Sequence, residues 1–214
     1  MVDQPTVVVR GEALREVPPE QAVVSVRLTA RDSNRETVLS RLLERSNELH
    51  ALLAEAGDAI ERRETSGVRV FPQIKRGSER VVAYTGNVGT TVIVTDFEPL
   101  GQLLLRLAAI EHADVEGPWW QLRPGSRAGA DVRREAIADA LSRAREYAAA
   151  VGARIDKLVE IADEGTGGGA PMMRAMDFQV GGAQSAGFEI DPQQQTVQAS
   201  VVVRVTITQP ELAP

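Results

Sequence analysis

Apolar residues fall on every second position from Gln21 to Arg31: Ala22, Val24, Val26, Leu28 and Ala30 share one face, and Arg27, Thr29 and Arg31 the other. That period of two predicts a strand buried on one side. It returns over Thr196–Thr208, where Val197, Ala199, Val201, Val203, Val205 and Ile207 alternate with Gln198, Ser200, Arg204 and Thr206. A short strand is predicted over 5–11. Two long ones are predicted over about 65–76 and 79–95, joined around Gly77-Ser78. In these, Val68, Val70, Ile74, Tyr84, Val88, Val92 and Val94 are candidate core positions. Pro72 marks an edge or a bulge, and Gly86 and Gly89 permit curvature. Strands over about 112–122 and 156–163 complete the set.

The spacing changes to three and four residues after Ser33-Asn34-Arg35-Glu36, which matches a capping box. Val38, Leu39, Leu42, Leu43, Leu49, Leu52 and Leu53 form the apolar stripe of a helix reaching about Ala56, with Gly57 as its stop. Arg41, Glu44, Arg45 and Glu48 are expected to pair along its polar side at i,i+3. A second helix, about 97–110, carries Leu100, Leu103, Leu104, Leu107 and Ile110. A third, about 127–151, presents Val132, Ala136, Ile137, Ala140, Leu141, Ala144, Ala148 and Val151 before Gly152.

The resulting order is ββαββαβαββ. Strands in adjacent pairs, separated by single helices, predict an α+β fold with a largely antiparallel twisted sheet packed against three helices. One domain is expected over 1–214, with two sub-lobes near 1–96 and 97–214 sharing strands. A flexible Gly- and Met-containing loop is expected over about 165–195.

Composition narrows the function classes. The net charge of −6 argues against nucleic-acid binding, which needs clustered cations. The absence of cysteine excludes thiol catalysis, disulfides and thiolate metal sites. "TVVV" near the N-terminus is strand-length, far short of a signal core or a membrane span. A chain starting naturally at Met1 is expected in the cytoplasm; one from which a leader has been removed, in the periplasm or outside the cell.

Four phrases, in this order and spacing, resemble the SIMPL domain family. They are "VVVRGEALREVPPEQAVVSVRLTARDSNRETVLSR", "ETSGVRVFPQIKRGSERVVAYTGNVGTTVIVTDFEPLGQLL", "VRREAIADALSRAREYAAAVGARIDKLVEIADEG" and "PMMRAMDF…TVQASVVVRVTI". The resemblance implies a soluble α+β fold of bacterial origin, frequent export to the periplasm and, for some members, ring-like oligomers. It supplies no catalytic residues to carry over.

Candidate chemistry is sparse. In "DEGTGGGAPMMRAMDF" (163–178), Gly165, Gly167 and Ala170 fit the spacing of a dinucleotide-binding turn. That fingerprint needs a helix leading into a buried strand, whereas Gly181-Gly182 interrupts here, so the stretch reads as a connection. Met172, Met173 and Met176 with Phe178 are expected to dock on a neighbouring subunit or on the sheet, rather than bind a soft metal. Trp119 and Trp120 point to opposite faces of a strand, one into the core and the other toward an interface. Asp131, Glu135 and Asp139 share one helix face, which reads as solvated with Asp139–Arg143 as an ion pair. His50 and His112 stand alone, and no H-E-x-x-H, G-x-S-x-G or Walker A motif occurs. The expectation is a non-enzymatic homo-oligomer without cofactor or metal, assembling through strand edges and the Met-containing loop. A groove for a small ligand or partner peptide is the alternative.

Overall fold

A computed structural model of the chain describes residues 4–77, 79–164 and 190–211. The elements follow the expected order: β1 (Thr6–Val17), β2 (Gln21–Asp32), α1 (Arg35–Glu55), β3 (Ile60–Ile74), β4 (Val81–Val94), α2 (Leu100–Ala108), β5 (Ala113–Gln121), α3 (Ala128–Ala150), β6 (Ile155–Asp163) and β7 (Gln195–Ile207). The fold is α+β and every strand pairing is antiparallel.

The strands divide into two sheets rather than one, of order β1-β7-β6 and β3-β4-β2-β5. The chain separates into two compact units at Pro18/Pro19 and Leu122/Arg123, not near 96–97. The cause is non-local: β1 runs the whole length from Thr6↔Thr206 to Val17↔Gln195, which draws the N-terminal strand into a unit with α3, β6 and β7. This pairing also makes β1 a twelve-residue strand instead of the expected short one.

In the four-stranded unit, the alternating face of β2 meets the stripes of α1 and α2. Ala22, Val24, Val26 and Leu28 pack with Leu49, Leu53, Val92, Val94, Leu100, Leu103, Leu104 and Leu107. A second cluster joins Ala30, Val38, Leu42 and Val88. Residues buried to this degree contribute about 1.5–3 kcal/mol each by leaving water, which makes this layer the main stabilising term of the unit. Val68 and Ile74, expected in the core, are exposed, whereas Val70 between them packs against Val38 and Leu42 of α1.

The N-cap of α1 is Asn34, one position later than the capping box suggests: its side chain accepts from the Glu36 N–H at 2.7 Å. Asp32 in turn accepts from the Asn34 N–H at 2.9 Å. At its other end the helix stops at Glu55, and Gly57–Ala59 makes one 3-10 turn into β3.

The three-stranded unit depends on small residues. The buried stripe of α3 is Val132, Ala136, Ala140, Ala144 and Ala148. Alanine lets the helix backbone settle onto β1 at Gly11, where an added Cβ would lie 2.1 Å from the Ala136 carbonyl oxygen and 2.5 Å from the Ala140 nitrogen. Val197, Ala199, Val201, Val203 and Val205 supply the sheet side of this contact.

Candidate functional site

A sheet that associates through its edges must present unpaired N–H and C=O groups. Among the described residues, each outer strand carries a feature that limits this exposure. On β1, the Glu12 N–H donates to Asp139 Oδ2 at 3.0 Å, and Arg15 pairs with Glu135. Two of the three carboxylates on α3 therefore hold the helix beside the β1 edge rather than simply facing water. Asp139 also keeps its expected partner, Arg143, at 3.1 Å, and Asp131 pairs with Arg134 at 2.6 Å.

Edge strand β3 carries register shifts at Ile60/Arg62, Thr65/Gly67 and Gln73/Ile74, with Pro72 between them. Edge strand β6 shifts at Ile155/Lys157 and Leu158/Glu160. Strand β5 shifts against β2 at Val23/Ser25 and contains a cis Gly117–Pro118 bond. Bulges of this kind interrupt the regular ladder that an incoming strand would need.

Strand β2 outlasts β5, whose pairing with it ends at Leu28↔Ala113. Beyond that point α1 takes over. Arg45 donates to the Thr29 carbonyl at 2.6 Å and Arg41 to the Arg31 carbonyl at 3.1 Å. Arg41 also pairs with Asp32 at 3.2 Å, and Arg45 with Glu111 at 3.4 Å. The arginines thus reach off the helix instead of pairing along it with Glu44 and Glu48. An arginine pair at i,i+4 on a helix that directly follows a strand is the sequence signal for this arrangement.

With the edges managed, the unsatisfied surface is apolar. Leu158 and Ile161 on β6 stand opposite Val205 and Val203, hence on the same sheet face as α3. The helix lies over β1 and β7, and leaves β6 largely uncovered. Leu158 and Val159 are each 53% exposed and Ile161 45%. The opposite face of the same sheet is polar along its middle: Arg10 bonds Ser200 Oγ at 2.9 Å and pairs with Glu164, while Arg204 pairs with Glu160 at 3.3 Å. These three β6 residues were legible as strand residues, but not as surface, because nothing in the alternation tells where a helix lies across a sheet.

A shallow apolar groove in the same unit, about 460 Å³ in volume, is lined by Pro5, Val7, Val8, Tyr147, Val151, Ile207 and Pro210 among others. Tyr147 is 61% exposed at its rim.

Of the two tryptophans, Trp120 is buried and meets Phe97 edge-on, with ring centroids 4.9 Å apart and planes at 81°. It serves the core, so the interface reading is left to Trp119, which is half-buried on the other face of β5. Met172, Met173, Met176, Phe178 and the glycine turn at 165–170 lie outside the described residues. His112 sits at φ 59° beside Glu111, and His50 lends its carbonyl to Arg63 at 3.5 Å. Among the described residues no cluster of His, Asp and Glu is suited to a metal, and no helix is long and apolar enough to cross a membrane.

A family model described as SIMPL, protein of unknown function (DUF541), matches residues 7–205, and the chain belongs to that family. No curated protein matches it.

Proposed function

We propose that this SIMPL-family chain is a self-assembling structural protein, which associates through the bare apolar face of β6 rather than through a continued β-ladder. The supporting observation is the trio Leu158, Val159 and Ile161, about half exposed on a nine-residue strand that α3 leaves uncovered. Adjacent exposed aliphatic residues on one element mark a contact surface more often than a scattered few do. The bulges at Ile155/Lys157 and Leu158/Glu160 argue for face packing over strand addition. Sedimentation velocity over a concentration series tests this. Wild type is expected to associate, and Leu158→Glu/Ile161→Glu to shift to monomer with an unchanged far-UV CD spectrum. A wild type that stays monomeric, or a variant that associates equally well, removes the proposal.

The groove beside Tyr147 favours a second reading, a binding module for a small apolar ligand or a peptide segment. Its lining is largely apolar and its size falls within the range of small-molecule sites. A ligand that raises the melting temperature without changing the sedimentation coefficient, and loses that effect in Tyr147→Ala, supports this second function.

A further inference from the structure

The β3–β4 hairpin outruns the rest of its sheet. Pairing of β4 with β2 stops at Asp32↔Tyr84, while β3 and β4 continue together through Gln73↔Ala83 and Ile74↔Val81. The end of the hairpin is therefore a two-stranded ribbon without a third strand beside it. Such ribbons gain little stability on their own and carry exposed side chains only at a cost in solubility.

This ribbon carries unusual ones. Ile74 is 57% exposed, Val81 40% and Val82 46%, and Phe71, just below the ribbon where Thr85 still pairs with Arg31 of β2, is 45% exposed. Val81 stands opposite Ile74, and Val82 is the extra residue of the bulge beside them, so the end of the ribbon carries three adjoining exposed aliphatic side chains. Around them stand Lys75, Arg76 and Arg80, with Arg69 lower on β3, all exposed, against one carboxylate, Glu79. Among the described residues Arg69, Lys75 and Arg76 make no ion pair. The chain as a whole carries −6, so this concentration of positive charge runs against its overall balance.

We propose that the end of the β3–β4 hairpin docks on a bilayer surface bearing anionic lipid headgroups. The cations match the headgroup charge, and Phe71, Ile74, Val81 and Val82 are placed to enter the boundary between headgroups and acyl chains. A narrow ribbon with an apolar end suits a fluid interface that closes around it. A folded acidic partner would need a cleft of matching shape. This docking is independent of the association through β6.

Co-sedimentation of the full chain with vesicles tests the proposal, using phosphatidylglycerol mixed with phosphatidylcholine against phosphatidylcholine alone. Binding is expected to the anionic vesicles only, and to weaken as salt is raised. Lys75→Gln/Arg76→Gln is expected to bind about 30-fold more weakly, at about fivefold per cation near an anionic surface. Ile74→Ser/Val82→Ser is expected to weaken binding while retaining its salt dependence. Far-UV CD checks that each variant is folded, and the salt series needs no variant at all. The proposal is overturned by no binding to anionic vesicles, by equal binding to neutral ones, or by undiminished binding of the glutamine variant. Retention on immobilised polyglutamate without vesicle binding overturns it in favour of an acidic protein partner.

Discussion

Replacing Gly11 by alanine tests the packing logic of the three-stranded unit most directly. The added Cβ would meet the Ala136 oxygen at 2.1 Å, the Ala140 nitrogen at 2.5 Å and the Ala140 Cβ at 2.6 Å. Two of these three are backbone atoms of α3, so no side chain can rotate away. The helix must rise from β1 by about 1 Å to restore ordinary contact, which loosens the alanine stripe along β1 and β7. Overpacking of this kind costs about 1–3 kcal/mol, and the rigid neighbour places this site at the upper end. Losing glycine from the unfolded chain returns about 0.4–1 kcal/mol, so the net destabilisation is about 2 kcal/mol. Urea unfolding followed by far-UV CD measures it. Tryptophan fluorescence provides a second view, because Trp119 and Trp120 both lie in the other unit. Gly67→Ala is the control: nothing lies within 4 Å of its added Cβ, and its stability is expected to stay within about 0.5 kcal/mol of wild type. A Gly11→Ala midpoint indistinguishable from that control would refute the close approach of α3.

Trp120→Ala is expected to lose about 3–5 kcal/mol through the cavity left beside Phe97, whereas Trp119→Ala, half-buried, loses about 1 kcal/mol; chemical denaturation distinguishes them. Asp139→Ala removes the acceptor of the Glu12 N–H and is expected to cost about 1 kcal/mol in the same assay. Light scattering on that variant is expected to show new association, because the β1 edge is then open. The Asp32 carboxyl is held below its ordinary value of 3.8, chiefly by the Asn34 N–H, with Ser33 and Arg41 adding to the effect and partial burial opposing it. Since the folded pKa is the lower one, its stabilisation is complete above the unfolded value and is lost as pH falls through the folded value. The stability gap between wild type and Asp32→Asn is therefore expected to close in acid, and carboxyl chemical shifts followed by NMR titration give the direction independently.

Local periodicity carried most of the secondary structure. The alternation of Ala22 to Ala30 and the stripe of Leu49 and Leu53 each describe a surface that only one partner layer can bury, so β2 and α1 were readable as they stand. Pairing across the chain was not. Residues 6–17 contain Arg10, Gly11, Glu12 and Arg15, which weaken the apolar pattern, and only the register with β7 shows that the strand continues through them. Gly11 ended the expected short strand because its reason lies on α3, more than a hundred residues away. The three acids of α3 looked solvated for the same reason: Arg15 and the Glu12 N–H come from a distant strand. For the proposed contact surface, composition directed attention to tryptophan and methionine, while the exposed trio on β6 is made of ordinary aliphatic residues. Their significance comes only from the path of a helix above them.

The pairing of β1 with β7 also orders events during synthesis. Residues 6–17 are made long before the strand they pair with among the described residues, 195–207, so the first strand remains unmatched until that segment has been translated. The unit built around β2 to β5 needs no such wait, since its six labelled helices and strands are all encoded between residues 21 and 121. A nascent chain stalled far enough beyond Leu122 for that residue to clear the ribosome would hold the β2–β5 core with an orphan β-segment ahead of it, which is where a chaperone that grips extended apolar sequence would be recruited.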